Sequence, residues 1–226
     1  MDASSLPPHL ATTQSSALLV DFQWKKFQAL ITEYDENSSK SRNLKEAKVL
    51  YTASFGLLAP HLKIKSAQDD RQIGTGTVHA VSISPYFELH GHKGTLQAKS
   101  RLRTFYEHMS YVFSDTETPA QMTWTSRSGF KTWDFICCDE NQTPVAKFTA
   151  NVWAFKKLAK IELLGPKALD PAAMEEIVVV GMTLYYCMVM RVNNIFNLVG
   201  SAFERTSKDA KIGPGHPQPV AGKTVD

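Results

Sequence analysis

The sequence predicts a mainly β protein, a sandwich or a barrel, with one apolar helix near its C-terminus. Three observations carry the prediction. Short apolar segments alternate with turn residues up to about residue 165, no helical periodicity appears before about residue 170, and an uncharged apolar run occupies 177–190. Short strands at regular spacing are typical of sandwiches and barrels. Because the run has no polar side, a helix formed there must be surrounded by protein or by lipid.

The predicted strands follow a polar lead, residues 1–16, which has little to bury and is expected to be flexible. The segment 21–34 fits a strand or a short helix, and a strand is favoured in its second half. Gly74, Thr75 and Gly76 are predicted as a turn, and Lys93 with Gly94 as the turn of a hairpin. We predict strands at 48–55, 61–66, one or two within 72–84, and then at 86–92, 95–102, 109–114, 121–126, 131–138, 145–150 and 160–164.

Neighbouring side chains of a strand point to opposite faces, which predicts the orientation of several residues. Ile161 and Leu163 alternate with charged residues and are expected to face the core. Cys137 and Cys138 are adjacent, so one thiol is expected inside and the other outside. With Cys187 in the predicted helix, the three cysteines do not form a disulfide framework.

The apolar helix is predicted to begin at Pro171 and to run to about 190, with a weaker extension to about 203. Asp170 can cap the free N–H groups, Pro171 suits the first helical position, and Glu175 and Glu176 face the positive end of the helix dipole. Gly181 is expected where the helix needs close contact with the surrounding wall.

A membrane span is the alternative to a buried helix, because both are apolar on all sides. The uncharged run 177–190 holds 14 residues before Arg191, whereas a span needs about 20. Length therefore favours a helix buried inside a protein domain.

Length and composition indicate a single domain at 17–206, followed by a disordered tail at 207–226. The 226 residues, 43% of them hydrophobic, suffice to bury one core. The 25 basic and 22 acidic residues nearly balance, so we expect no nucleic-acid partner. The N-terminal segment lacks the basic region and apolar core of a secretory signal, so a cytoplasmic location is expected.

The order of features after about residue 105 resembles a known family. A strand, an acidic turn and a second strand are followed by a Trp/Phe-rich stretch, the motif K-x-x-K-I-E-L-L-G and the helix start E-E-I-V-V-V-G-M-T-L. The residues that carry the resemblance are Trp124, Trp133, Asp139, Val145, Ala146, Phe148, Lys157, Lys160, Ile161, Leu163 and the segment 176–184. This pattern resembles the C-terminal part of the tubby-like superfamily, in particular its fungal branch, which is related in fold to LURP-one-related proteins and phospholipid scramblases.

The resemblance implies a closed antiparallel barrel of about twelve strands with one hydrophobic helix threaded through it. Such a barrel has no sheet edges, and its interior can hold a helix that is apolar on all sides. Tubby proteins bind phosphoinositides as a family, which implies an anionic lipid as partner. The headgroup residues of the family are not assigned to positions in this sequence.

Several titratable residues are candidates for catalysis or metal binding. On one strand, Glu88, His90 and His92 would share a face, but the outer two would lie about 13 Å apart, too far for one metal ion. His79 with Glu88, or Tyr86 with His90, could form an acid–base pair in a pocket that also holds His92 and His108. No phosphate loop or dinucleotide fingerprint is present, so no cofactor is expected.

Two basic clusters suggest a different function. Lys99, Arg101 and Arg103 alternate with uncharged residues and would form a positive ribbon on one face of a strand. The second cluster consists of Lys156, Lys157 and Lys160 beside the aromatic residues Trp153 and Phe155. Cations next to aromatic side chains suit the headgroups of anionic lipids.

The leading hypothesis is therefore a non-enzymatic protein that binds an anionic lipid or another hydrophobic small molecule, with peripheral contact to a membrane. The first alternative is a cofactor-free isomerase or cyclase, or an auxiliary protein, in fungal secondary metabolism. The second is a scramblase-like membrane protein, which requires the helix to cross lipid.

Overall fold

The protein is represented by a computed structural model that describes residues 15–34, 48–56, 58–59, 61–79, 82–100, 103–128, 132–151 and 157–209. The predicted flexible lead lies outside these ranges except for Ser15 and Ser16, which begin the first strand. The predicted tail lies outside them from residue 210.

The described residues contain thirteen strands of one antiparallel sheet. A single 3-10 turn, Trp24–Lys26, separates the first two strands. The strands are β1 Ser15–Gln23, β2 Gln28–Glu33, β3 Val49–Phe55, β4 Leu62–Ser66, β5 Gln72–Thr77, β6 Tyr86–Leu89, β7 His92–Thr95, β8 Gln97–Ala98, β9 Phe105–Ser110, β10 Ala120–Ser128, β11 Thr132–Cys138, β12 Pro144–Asn151 and β13 Lys157–Leu164.

The sheet curls into a nearly closed barrel. Its strand order is β7-β6-β5-β4-β3-β2-β1-β13-β12-β11-β10-β9-β8, so that β1 pairs with both β2 and β13. The two outermost strands, β7 and β8, are joined in the chain by Leu96 alone, and β7 approaches β9 across the seam. The predicted mainly β fold with a barrel architecture is confirmed.

The helix, α1 Pro171–Asp209, starts where the sequence predicts. The Ala172 N–H donates to Asp170 Oδ1 at 3.0 Å, and the Met174 N–H donates to the Asp170 carbonyl at 2.9 Å. The compact unit that contains the barrel ends at Cys187, and a second unit begins at Met188. The helix continues past its predicted end near 203, and it includes 207–209, which were expected in the disordered tail.

Within the first unit, the apolar part of α1 is buried by the barrel wall. The side chains of Ile177, Val178, Val179, Val180, Met182 and Leu184 are 0% exposed. On the wall, Ile161 and Leu163 face this core as predicted, with exposures of 0% and 1%. Cys137 is buried and Cys138 half-buried, which confirms that the two thiols point to opposite faces.

The argument from length against a membrane span is wrong. The segment Pro171–Arg191 is long and apolar enough to cross a bilayer by length and composition. Its burial accounts for that composition, because 67% of the most apolar stretch lies inside the protein. The buried helix is thus distinguished from a span by its contacts and not by its length.

The predicted turn at Gly74, Thr75 and Gly76 is instead the middle of β5. A Cβ at Gly74 would lie 2.7 Å from Val179 Cγ2 and 2.6 Å from the Glu88 carbonyl oxygen, and a Cβ at Gly76 would collide with Thr183. The two glycines therefore let α1 approach the wall closely.

Three other boundaries differ from the predictions. The hairpin turn between β6 and β7 is His90–Gly91, both with positive φ (48° and 84°), and not Lys93 with Gly94. The predicted strand 95–102 ends at Ala98, and the segment predicted as strand 109–114 is strand only to Ser110. The segment 21–34 forms two strands around a tight turn, because aromatic residues there pack together at the turn.

Candidate functional site

Four neighbouring strands, β4 to β7, place a row of polar side chains on the outer face of the barrel. Lys63 pairs with Thr75, Thr75 with Glu88, and Glu88 with Lys93. Directly paired residues share a face of the sheet. Since Leu62 and Ile64 on either side of Lys63 are fully buried, that face is the outer one.

A second outer row lies beside the first, nearer the ends of the same strands. It consists of Thr77, Tyr86 and Thr95, which are paired across β5, β6 and β7. The two rows line an open groove of about 810 Å³, which we call the lateral groove. Its lining residues are Ala59, Lys63, Gln72, Thr75, Thr77, Tyr86, Phe87, Glu88, Lys93, Gly94 and Thr95.

The two groove lysines differ from several other lysines of the barrel, which have acidic partners. Lys65, Lys99 and Lys160 each form an ion pair at 2.6 to 2.8 Å, with Asp70, Glu107 and Glu162 respectively. Among the described residues, no carboxylate lies within 4.0 Å of either groove ammonium group. At about 4.8 Å per strand, their Cα atoms are roughly 14 Å apart, so the two cations flank Thr75 and Glu88.

Only two of the predicted acid–base residues line the groove. Tyr86, which is 52% exposed, and Glu88 face it, and the His79 ring packs edge-on against Tyr86 with centroids 5.0 Å apart. His92 is exposed at the start of β7. The predicted common strand face of Glu88, His90 and His92 is not formed, because the chain turns at His90–Gly91.

His90 instead contacts the start of α1. Its Nε2 lies 2.6 Å from Glu175 Oε2, and its Nδ1 lies 3.2 Å from Arg71 Nη1. Arg71 Nη2 donates to Glu175 Oε1 at 3.4 Å, which closes a three-residue cluster. Burial, and next the negative charge of Glu175, raise the pKa of the nearby Tyr51 to about 12.

His108 is inside the barrel and also binds the helix. Its Nε2 lies 3.0 Å from Glu176 Oε1, and the Ser110 hydroxyl donates to Glu176 Oε2 at 2.9 Å. The side chains of His108 and Glu176 are 0% and 3% exposed. Burial, followed by the charge of Glu176, raises the pKa of the Cys137 thiol well above its usual value. The cluster holds α1 to the wall and does not face the groove.

The sequence patterns did not indicate either helix contact. His108 and Glu176 are separated by 68 residues, and only the fold brings them together. The groove was missed for the same reason, because its lining comes from four strands. The one local signal for an outward Lys63 was its position between the apolar residues Leu62 and Ile64.

The predicted basic clusters are dispersed. Lys99 and Arg103 lie in the connection between β8 and β9, so the predicted strand ribbon is wrong. Arg101, Trp153 and Lys156 lie outside the described residues, as does the side chain of Lys157. Lys160 is on β13, where its ammonium group lies 2.6 Å from Glu162 and 4.8 Å from the centre of the Tyr34 ring.

Comparisons with known proteins give no family assignment. No protein-family model, curated protein or solved structure matches this chain. Within the described part of the chain, no group of three or more His, Cys, Asp or Glu side chains is arranged to hold a metal ion. A proposal about function therefore depends on the geometry of the lateral groove.

Proposed function

We propose that the protein is a non-enzymatic binding protein whose lateral groove takes the phosphate-bearing headgroup of an anionic lipid. The observation that carries the proposal is the pair of outward lysines, Lys63 and Lys93, which flank the groove with no acidic partner among the described residues. An ammonium group binds phosphate as a point charge, and charge-assisted hydrogen bonds are about twice as strong as neutral ones.

The side chains between the two lysines suit the remaining part of such a headgroup. The hydroxyls of Thr75 and Thr77 can donate to phosphate oxygens, and the Glu88 carboxylate, between the two lysines, can accept hydrogen bonds from hydroxyl groups. The groove therefore favours a headgroup that carries both phosphate and hydroxyl groups, such as a phosphorylated inositol, over a phosphate monoanion alone.

Vesicle flotation tests this proposal directly. Phosphatidylcholine vesicles with and without a minor fraction of a monophosphorylated phosphatidylinositol are mixed with wild type and with Lys63→Gln/Lys93→Gln. Each lysine contributes about 1 kcal/mol near an anionic surface, so the double variant should bind the phosphorylated vesicles about 30-fold more weakly.

The double variant Lys147→Gln/Lys160→Gln is the charge-matched control, since the two lysines lie on β12 and β13, across the barrel from β4 to β7. It should bind nearly as well as wild type. An equal loss in both variants, or no loss in the groove variant, would overturn the groove as the headgroup site and, in the first case, favour the cluster at Lys160.

A cofactor-free enzyme is the second candidate, favoured by the position of Tyr86 and Glu88 in the same groove with His79 against Tyr86. The two functions differ in the role of Glu88. Glu88→Gln removes a negative charge from the groove, so phosphate binding should persist or strengthen, whereas acid–base chemistry would be lost.

Extraction of the purified, detergent-free protein followed by native mass spectrometry separates the two candidates. A co-purifying phospholipid supports headgroup binding. A bound small metabolite that wild type converts and Glu88→Gln does not convert would support the enzyme instead.

The proposal includes a cytoplasmic location with peripheral membrane contact and a relationship to the tubby-like superfamily. An antiparallel barrel around one apolar helix supports that relationship. The interior is occupied by α1 side chains, so a hydrophobic ligand in the barrel interior finds less support than a headgroup outside it. The scramblase-like alternative finds less support too, because the helix it needs in lipid is packed within the barrel wall.

A further inference from the structure

The barrel has two ends of different chemistry. Because neighbouring strands are antiparallel, the connections β1–β2, β3–β4, β5–β6 and β8–β9 meet at one end. Hydrogen bonds join them: the Phe55 N–H donates to the Phe27 carbonyl at 3.1 Å, and the Ala98 N–H donates to Ser84 Oγ at 3.0 Å.

The charged side chains described in these four connections have one sign. In the described residues of these four connections, the charged side chains are Lys25, Lys26, Lys99 and Arg103, with no Asp or Glu among them. Lys25, Lys26 and Arg103 are exposed, whereas Lys99 is paired with Glu107. Both signs occur at the opposite end, where the described residues of the connections include Asp69, Asp70, Asp115, Glu117, Asp139, Glu140 and Asp170 together with Lys48, Arg71 and Lys167.

Two large apolar side chains project beside these cations. Leu58 in the β3–β4 connection is 84% exposed, and Phe27 in the β1–β2 turn is 47% exposed. Phe27 is held in place by the rings of Phe22 and Phe55, at centroid distances of 5.6 and 6.2 Å. Exposed apolar residues at loop tips next to lysines are typical of proteins that lie at a bilayer interface.

We propose that this surface, formed by Lys25, Lys26, Phe27, Leu58 and Arg103 and called the basic end below, docks on an anionic bilayer. Phe27 and Leu58 enter the headgroup layer, and the three cations lie against lipid phosphates. Complementary charge selects an anionic membrane, and the two separate apolar tips favour insertion into lipid over a flat protein partner. Docking by the basic end requires no particular headgroup, so it goes beyond the recognition proposed for the lateral groove.

The basic end also explains how the groove could reach its ligand. Tyr86, Thr77 and Thr95 lie at the ends of their strands nearest the basic end, and Ala59 of the groove follows Leu58 directly in the chain. Docking through this end would thus bring the rim of the groove close to the bilayer surface.

Vesicle sedimentation at low and high salt tests the charge component. Phosphatidylcholine vesicles and vesicles that also contain phosphatidylserine serve as probes for wild type and Lys25→Gln/Lys26→Gln. The variant should bind the phosphatidylserine vesicles about 25-fold more weakly, about fivefold for each lysine, and added salt should weaken wild-type binding. Unchanged binding would overturn docking by the basic end.

Apolar insertion is tested with a matched pair of variants. Phe27→Ser/Leu58→Ser should reduce phosphatidylserine vesicle binding at least tenfold, whereas Met109→Ser/Tyr111→Ser should not. Met109 and Tyr111 are also exposed apolar residues, 53% and 69%, but lie toward the opposite end. Equal losses in the two variants would overturn the proposal, as would a loss in the lysine variant alone, which would indicate adsorption by charge without insertion of Phe27 and Leu58.

An environment-sensitive dye gives an independent readout of insertion. In a Cys138→Ser background, the dye on Leu58→Cys should shift to shorter emission wavelength with phosphatidylserine vesicles, and on Tyr111→Cys it should not. The groove variant Lys63→Gln/Lys93→Gln should keep this shift and lose only the preference for the phosphorylated inositol headgroup. The dye shift is therefore expected even if the headgroup proposal is wrong. Absence of the dye shift at position 58 would overturn docking by the basic end and would leave the headgroup proposal untouched.

Discussion

The two faces of the barrel wall carry opposite chemistry along the same strands. On β4, Leu62 and Ile64 are 0% exposed against the helix side, whereas Lys63 between them is exposed in the lateral groove. On β5, Gly74 and Gly76 admit the helix, whereas Thr75 between them lines the groove. Successive residues of one strand thus contribute alternately to the packed interior and to the polar outer groove.

Under the proposed function, stability and binding reside in separate sets of side chains. Inside, removal of a group leaves a cavity or an unpaired polar atom that water cannot reach. Outside, the long lysine side chains remain solvated whether or not a ligand is present, so their replacement leaves the folded state nearly unchanged. Substitutions on the two faces should therefore have separable effects.

The largest effect on stability is expected at Glu176. Glu176→Ala leaves His108 and Ser110 buried without their partner, and breaking a buried pair in this way costs about 3 to 5 kcal/mol. The neighbouring Glu175→Ala removes a partner from the more exposed Arg71 and His90 and should cost about 1 kcal/mol. Urea unfolding of both variants measures the difference. Equal costs would mean that Glu176 is not the main polar anchor of the helix.

Overpacking the helix–wall contact should have the next largest effect. A Cβ at Gly181 would lie 3.0 Å from Phe148 Cδ2 and 3.3 Å from Trp124 Cη2. Gly181→Leu should therefore lower the free energy of unfolding by about 3 kcal/mol, while Ala172→Leu at an exposed helix position should change it by less than about 0.5 kcal/mol. A Gly181→Leu variant with wild-type stability would refute the burial of α1 in the barrel.

Local sequence patterns were sufficient to predict the features that neighbouring residues determine by themselves. Ile161 and Leu163 alternate with charges because one face of β13 meets the core, and Asp170 with Pro171 marks the helix start by local chemistry alone. By sequence alone, Gly74 and Gly76 fit a turn, because glycine occurs both in turns and where two segments pack closely. Only the position of Val179 against Gly74 distinguishes close packing from a turn.

The residues of the proposed binding site could be identified only with long-range information. Lys63 and Lys93 come together through the register of four strands, and no local spacing encodes a register. The basic ribbon was predicted from alternation at Lys99 and Arg103, but the chain leaves the sheet after Ala98. The prediction that cations bind an anionic partner stays a prediction. The cations that we now propose for this role are Lys63 and Lys93 instead of Lys99 and Arg103.

Alkaline pH should weaken the packed interior. Burial raises the pKa of Tyr185 to about 12, and the residue is 6% exposed. Because the unfolded phenol ionises near pH 10, this stabilisation is complete below about pH 10 and is lost as the pH rises towards 12, a total on the order of 2 to 3 kcal/mol. Urea unfolding between about pH 9 and pH 11 should show a shallower decline for Tyr185→Phe than for wild type. Identical slopes would mean that Tyr185 is accessible to water.

The smallest effect on stability is expected in the lateral groove, where the effect on binding is large. Lys63→Gln/Lys93→Gln should change the free energy of unfolding by less than about 0.5 kcal/mol, because both side chains are exposed and form no ion pair within the described part of the chain. Leu62→Ala, one residue away on the inner face, should cost about 2 to 5 kcal/mol and leave vesicle binding by the remaining folded protein intact. Unfolding curves and flotation on the same preparations measure both quantities. If the lysine variant were as unstable as Leu62→Ala, its weaker vesicle binding would result from lost structure and not from a lost headgroup contact. The conclusion that the two faces of the wall contribute separately to stability and to binding would then be wrong.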